Sequence, residues 1–150
     1  MTVKSRLLEL LEQHKGETLS GEDIGRELSC TRAAVWKAVN SLRQEGYPIE
    51  AGPNKGYMLA RESNLISAEG IRLFLEDPQV EIKIFDAISS TNLEARQLAV
   101  SGMAGHGSFV VAMEQTAGRG RRGREFYSPK GSGIYLSVIL EPKGTLEAVF

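Results

Sequence analysis

The densest set of side chains able to do chemistry is Gly118-Arg-Gly-Arg-Arg-Gly123-Arg124, which interleaves four arginines with three glycines. Glycine lets the backbone approach a ligand and present N–H donors, and each guanidinium offers paired hydrogen bonds to a carboxylate or phosphate. Such a loop suits an anionic small molecule. A basic nucleic-acid loop and a solvated surface turn are the competing readings. Gly118, Gly120 and Gly123 also satisfy G-x-G-x-x-G, yet a dinucleotide fingerprint must open a helix, and Glu125-Phe-Tyr-Ser-Pro129 cannot start one cleanly. A phosphate-binding P-loop is excluded because no Gly-Lys-Ser/Thr follows. With four like charges and little apolar side chain to pin them, the unliganded loop is expected to be mobile.

A second set lies near residues 32–55. Val35, Ala38, Val39 and Leu42 fall at helical spacing and form an inner face, so Ala33, Lys37, Asn40 and Gln44 point outward with Arg32 and Trp36 on the flanks. A helix of this kind fits the major groove. Arg32 and Lys37 suit guanine or phosphate, Asn40 suits adenine, and Lys55 at a hairpin tip suits backbone phosphate or the minor groove. Trp36 belongs to the same candidate surface, although a half-buried scaffold role is the simpler expectation for it. A three-helix module that serves only as a spacer or partner platform is the alternative. Cys30 reads as a small buried side chain, and His14 and His106 as surface residues. No metal-ligating set is read.

These residues need elements to hold them. Thr2 caps a first helix striped by Val3, Leu7, Leu8, Leu10 and Leu11 and ended by Gly16. Ser20-Gly-Glu-Asp23 has the form of a capping box for a short helix, and Thr31 caps a third running to about Glu45. Tyr47-Pro-Ile-Glu50 and Gly56-Tyr-Met-Leu59 flank a Gly/Pro/Asn loop as two short strands. Helix, short helix, longer helix and hairpin is a winged helix-turn-helix, assigned to residues 1–62. Residues 63–150 open with a linker and a short helix over Ser67–Leu75. A strand follows at Val80–Ile84, then a helix capped by Ser90-Thr91, a buried strand at Phe109–Met113 and another at Ile134–Leu140. This is an α+β arrangement whose sheet would keep an uncovered face or edge. Residues 141–150 hold the start of an element without room to finish.

Bulk properties restrict the setting more than the function. No apolar run approaches the roughly 20 residues that cross a bilayer, and no secretory signal opens the chain. A single cysteine rules out an internal disulfide, so a cytoplasmic setting is expected. Residues 1–62 hold nine Lys/Arg against nine Asp/Glu, so a nucleic-acid reading rests on where charges lie and not on their sum.

Ser90-Thr-Asn92, Glu114-Gln115-Thr-Ala-Gly-Arg-Gly-Arg-Arg-Gly123 and Ser128-Pro-Lys-Gly131 occur in order, followed by Gly133-Ile-Tyr-Leu-Ser137. Over residues 80–140 this set resembles the biotin protein ligase family, whose catalytic domain has a class II synthetase-like mixed sheet. With a winged helix in front, the chain resembles the bifunctional group that also represses biotin operons; Ser20-Gly-Glu22, Thr31-Arg-Ala-Ala34 and Gly56-Tyr57 match that group more loosely. The resemblance implies activation of biotin by ATP and Mg2+ to biotinyl-5′-adenylate. Transfer to a lysine of the biotin carboxyl carrier protein of acetyl-CoA carboxylase would follow, with operator DNA as a further partner and a homodimer as the assembly. Carried over by motif, Ser90, Thr91 and Asn92 would line the ureido pocket and Gln115 would meet biotin near its reactive end. Arg119 and Arg121, with Gly118 and the Gly120 backbone, would hold the carboxylate and the adenylate phosphate. Phe126 stands where the family often has a tryptophan to cover adenine; it can stack, with less area and no N–H donor. The family's active-site lysine, remaining strands and small C-terminal β-domain would lie beyond Phe150, so the catalytic domain reads as truncated. A DNA-binding, biotin-responsive repressor without turnover is the alternative, and a lipoate-type ligase ranks third because such ligases generally lack this loop and the winged helix.

Overall fold

The computed structural model describes residues 2–52, 56–77 and 79–142. The helix starts follow local hydrogen-bond chemistry. Thr2 Oγ1 accepts the Ser5 N–H at 3.1 Å to open α1 (Val3–Gln13). Ser20 Oγ accepts the Asp23 N–H at 3.0 Å at the head of α2 (Gly21–Glu27), and Thr31 Oγ1 accepts the Ala34 N–H at 3.2 Å at the head of α3 (Arg32–Gln44). Each cap satisfies an N–H group that has no partner within its own helix. Between α2 and α3 the chain turns at Ser29, whose φ of 51° is left-handed, and the Cys30 N–H donates to the Gly25 carbonyl at 2.9 Å.

The apolar stripes meet in one core. Leu7 and Leu11 of α1, Ile24 of α2, and Val35, Val39 and Leu42 of α3 are all buried, with Ile49 and Leu59 closing the cluster from the hairpin. Cys30 is half-buried against that core and free. The hairpin pairs β1 (Ile49–Gly52) with β2 (Gly56–Leu59) antiparallel. Leu19 and Tyr57 exchange backbone hydrogen bonds of 2.9 and 2.8 Å, adding the α1–α2 connection to the wing as a third edge. Gly56 permits this: its φ is +83°, and a Cβ there would lie 2.1 Å from the Leu19 carbonyl oxygen.

The first compact unit runs Met1–Glu76, beyond the boundary expected at residue 62. Its last helix, α4 (Ala68–Arg72), is shorter than the expected Ser67–Leu75. Packing against α1 explains where it belongs. Ser67 Oγ caps Gly70 N–H at 2.9 Å while donating to Glu12 Oε1 at 3.0 Å, Ser5 Oγ bonds Glu69, and Lys15 Nζ reaches the Ser63 carbonyl at 2.7 Å. Burial, then the nearby Glu69, Glu12 and Glu45 carboxylates, raise the Tyr47 hydroxyl above its ordinary value, with a Ser67 hydrogen bond opposing.

The second unit, Asp77–Phe150, is built on a three-stranded mixed sheet in the order β3-β4-β5. β3 (Ile82–Phe85) runs parallel to β4 (Phe109–Ala112), and β5 (Tyr135–Val138) runs antiparallel to β4. The parallel pair requires a crossover, and α5 (Thr91–Val100) supplies it. Ala95 and Leu98 of α5 pack with Val110 in the core of this unit. Leu136 and Val138 on β5 stay substantially exposed, the uncovered surface expected from the sequence. The expected α+β organisation, winged helix-turn-helix followed by a mixed sheet, is present.

Thr31→Ala should cost about 1 kcal/mol by removing the α3 cap. Urea unfolding followed by helical circular dichroism checks this, and an unchanged midpoint would mean that the Thr31 bond contributes nothing.

Candidate functional site

The mixed sheet narrows at its end into single-residue bridges, and these hold the loop. Gln115 is clamped between two neighbours by bridges to Ile88 and Ser128, its N–H donating to the Ser128 carbonyl at 3.0 Å. The Thr116 and Ala117 N–H groups donate to the Ile88 and Ser89 carbonyls, each at 2.9 Å. This brings the start of the arginine loop against the residues that lead into α5. From there the loop folds back on itself: Arg119 bridges Glu125, the Gly120 N–H donates to the Arg124 carbonyl at 2.8 Å, and the Phe126 N–H donates to the Gly118 carbonyl at 2.9 Å. Its tip is a single 3₁₀ turn, Arg121–Gly123, with Arg122 and Gly123 both at positive φ. No helix opens at these glycines, so the G-x-G-x-x-G spacing has no dinucleotide geometry.

Gly118 is required by space. A Cβ there would lie 2.5 Å from the Phe126 carbonyl oxygen and 2.7 Å from Ser128 Oγ, with Gln115 Nε2 at 3.3 Å. Backbone and a buried hydroxyl cannot yield as the end of a flexible side chain would.

Side chains beneath the loop form one hydrogen-bonded chain. Ser137 Oγ donates to Thr91 Oγ1 at 2.9 Å, and Thr91 Oγ1 donates to Gln115 Oε1 at 3.2 Å. The same Oε1 accepts the Thr91 N–H at 2.8 Å, while Gln115 Nε2 donates to Ser128 Oγ at 3.1 Å and Ser128 Oγ donates to the Phe126 carbonyl at 3.0 Å. This corrects one expectation from the sequence. Ser90 occupies the N-cap position of α5 but makes no side-chain cap bond; the carboxamide of Gln115, distant in sequence, caps the helix instead. Ser90 is buried, forms no side-chain hydrogen bond among the described residues, and lines a cavity.

That cavity has a volume of about 770 Å³. Ser90, Thr91 and Asn92 line it at the start of α5, Gln115, Arg119, Gly120 and Arg121 from the loop, and Phe126 from the returning arm of the loop. Gly118 lies on a neighbouring groove that shares Gln115, Arg119 and Phe126. Phe126 is 55% exposed, so its ring is available to a ligand face. Neither Arg119 nor Arg121 forms an ion pair among the described residues, which leaves both guanidinium groups available to an anion. Sequence reasoning placed Ser128, Leu136 and Ser137 inside its motifs without giving them a site role, and passed over Arg96. Helical spacing puts Arg96 one turn beyond Asn92, a signal that could have found it; the two serines meet the site only through strand pairing.

In the first unit, Arg32, Ala33, Trp36 and Lys37 form an exposed strip along α3, and Asn40 is half-buried. Trp36 departs from its expected scaffold role. It is 61% exposed and contributes nothing to the core, because it sits one residue past Val35 and the inner face turns away. Arg32 borders a concavity formed with Ser20, Glu22 and the wing residues Gly52 and Tyr57. Lys55 lies outside the described residues.

Residues 3–58 match the model of the HTH domain family, and residues 84–148 match that of the Biotin/lipoate A/B protein ligase family. The two matched segments thus follow one another along the chain, a helix-turn-helix segment first and a segment similar to the Biotin/lipoate A/B protein ligase family second. The Bifunctional ligase/repressor BirA of Bacillus spizizenii is 42% identical over 143 residues, covering 94% of this chain and 44% of that protein. The protein of the same description from Escherichia coli is 38% identical over 138 residues, covering 92% of this chain and 41% of its own length. A Biotin--[acetyl-CoA-carboxylase] ligase of Paracoccus denitrificans is 49% identical over 55 residues, 37% of this chain and 22% of that protein. The chain spans less than half the length of the curated relatives it matches.

Gly118→Ala should open the stem of the loop by pushing Phe126 and Ser128 away. Amide hydrogen exchange at Gly120 and Phe126 should accelerate at least tenfold, and unchanged protection would show that the stem absorbs a methyl group.

Proposed function

We propose that this chain carries the DNA-binding module and the anion-gripping loop of a biotin–protein ligase that also represses biotin genes. The observation supporting this most directly is convergence: Ser90, Thr91 and Asn92 from one segment and Gln115, Arg119 and Arg121 from another share one cavity. In this reading Ser90, Thr91 and Asn92 face the ureido ring, whose N–H and C=O groups need both acceptors and donors. Gln115 keeps one amide hydrogen beyond its bond to Ser128 and lies beside the reactive end of biotin. Arg119, Arg121 and the Gly120 backbone hold the carboxylate and the phosphate of biotinyl-5′-adenylate, and Phe126 covers the adenine.

The chemistry agrees with those roles. Carboxylate attack on the α-phosphorus of ATP joins two anions and expels pyrophosphate. Fixed guanidinium groups reduce the repulsion and stabilise the charge that develops. The adenylate then loses AMP to the attacking amine of a carrier-protein lysine, forming an amide. Enclosing the adenylate protects a hydrolysable mixed anhydride from water. No side-chain nucleophile is needed. Among the described residues no group of three His, Cys, Asp or Glu side chains is placed to hold a metal; Mg2+ would enter with ATP, held largely by its phosphates, and no step is assigned to it.

Further parts of the reading are a carboxyl carrier protein of acetyl-CoA carboxylase as acceptor, a homodimer on a two-fold operator, and a cytoplasmic location. No helix among the described residues is long and apolar enough to cross a membrane. On α3, Arg32, Trp36, Lys37 and Asn40 face the major groove, and Lys55 contributes a charge for backbone phosphate. A biotin-responsive repressor without turnover is the second reading. Biotin-dependent exchange of pyrophosphate into ATP separates the two: exchange supports the ligase, and biotin-responsive operator binding without exchange supports the repressor alone.

Arg119→Ala should weaken retention of biotinyl-adenylate at least about tenfold, since it removes a charge-assisted bond to an anion. Equilibrium dialysis measures this, and equal retention would remove Arg119 from the site. Operator affinity should fall linearly with the logarithm of salt concentration, and Lys37→Ala should reduce that slope by about 1 if Lys37 contacts a phosphate. Salt-independent or absent binding would leave residues 1–62 as a spacer.

A further inference from the structure

Ser128 lies beneath the arginine loop and outside the cavity that collects the ligand-facing residues, yet it joins both ends of that loop. It is 2% exposed. Its carbonyl accepts the Gln115 N–H at 3.0 Å where the chain enters, and its hydroxyl donates to the Phe126 carbonyl at 3.0 Å where the chain leaves. The hydroxyl oxygen also accepts from Gln115 Nε2 at 3.1 Å.

Donor counting turns this into a directional constraint. A hydroxyl has one proton, and that of Ser128 is committed to the Phe126 carbonyl, which can only accept. Ser128 can therefore only accept from Gln115, so Nε2 must point toward it and Oε1 must point away. Oε1 then faces the Thr91 N–H and hydroxyl, and Thr91 gives its proton to Oε1. Thr91 Oγ1 is left to accept from Ser137, which consumes the Ser137 proton as well. At the cavity wall Ser137 consequently offers lone pairs only.

We propose that Ser128 is a positioning residue. Without touching the ligand, it acts together with the Thr91 N–H to hold the orientation of the Gln115 carboxamide and thereby makes the Thr91–Ser137 side of the cavity select ligand N–H donors. Its removal leaves one Gln115 Nε2 hydrogen without its protein partner. The carboxamide is then held by the Thr91 N–H and hydroxyl alone, so its rotation loosens, the α5 N–H keeps its acceptor less tightly, and Thr91 and Ser137 can reverse their donor order. The ligand side of this inference rests on the reading of the cavity as a biotin site, whereas the orientation of Gln115 does not.

The experiment compares the wild-type chain with Ser128→Ala and Ser128→Cys in two arms. In the first, the ligand-free proteins are followed by 15N NMR. In Ser128→Ala the Gln115 side-chain amide and the Thr91 backbone amide should shift, and exchange of the side-chain amide with water should accelerate about tenfold. Ser128→Cys, which keeps a weak acceptor, should lie between the two, and it decides the question if the alanine variant does not fold. Unchanged Gln115 and Thr91 resonances in a folded variant would overturn the proposal. The second arm measures affinity for biotin and for biotin methylated on its ureido nitrogens. The preference for unmethylated biotin should narrow about tenfold in Ser128→Ala, the equivalent of one hydrogen bond. An equal loss for both ligands would indicate a merely structural role and overturn the selectivity claim. Failure of the wild-type chain to bind biotin would count against the biotin reading, and the first arm would still decide the orientation of Gln115.

Discussion

The Gln115 carboxamide is the interaction on which the second unit's site depends. A helix N-terminus exposes N–H groups that need acceptors, and a strand end exposes backbone that needs partners. One side chain meets the first need at Thr91 while its own backbone meets the second between Ile88 and Ser128. The helix and the loop are thereby fixed to each other through a group at their shared boundary. The arginines can extend from that base without having to stabilise it. Four guanidinium groups in six residues repel one another, and a stem closed by backbone and neutral side chains tolerates such a tip better than one closed by ion pairs, which a bound anion would compete for.

The first unit solves a different problem. Its core is assembled from helical stripes whose positions follow from apolar spacing, and its three main helices begin at hydroxyl caps. Wing and helices are then joined by a close approach of two backbones, Leu19 and Gly56, which only a glycine allows. Extension of the unit through α4 brings the Ser67 cap and Glu12 into one set of hydrogen bonds, so the segment after the wing belongs to the same folded body as α1.

Legibility in the sequence follows the range of the interactions. Caps at Thr2, Ser20 and Thr31, the inner face of α3 and the alternating strands are local, and a window of a few residues contains the whole cause. Ser67 also caps locally, but its bond to Glu12 spans most of the first unit, and the domain limit at Glu76 was hidden for that reason. Ser90 shows the same limit in reverse. Its local pattern predicted a cap, and a glutamine brought in by strand pairing took the role. Large aromatics usually gain from burial, yet Val35 fixes the phase of α3 and leaves its neighbour Trp36 outside the core. The loop's composition announced anion chemistry; its hairpin form and the serines beneath it depend on register, which composition does not encode.

The lone tryptophan of the chain stands on the exposed strip of α3, and the aromatic at the mouth of the second unit's cavity is Phe126. The two surfaces are therefore optically separated. Red-edge excitation isolates a single indole in the first unit, whose emission responds to the polarity of whatever lies against that helix. Phenylalanine and tyrosine contribute almost nothing at those wavelengths, so events at Phe126 do not overlap with the signal. Without any added label, the distribution of aromatic residues gives the chain a reporter that belongs to one of its modules alone.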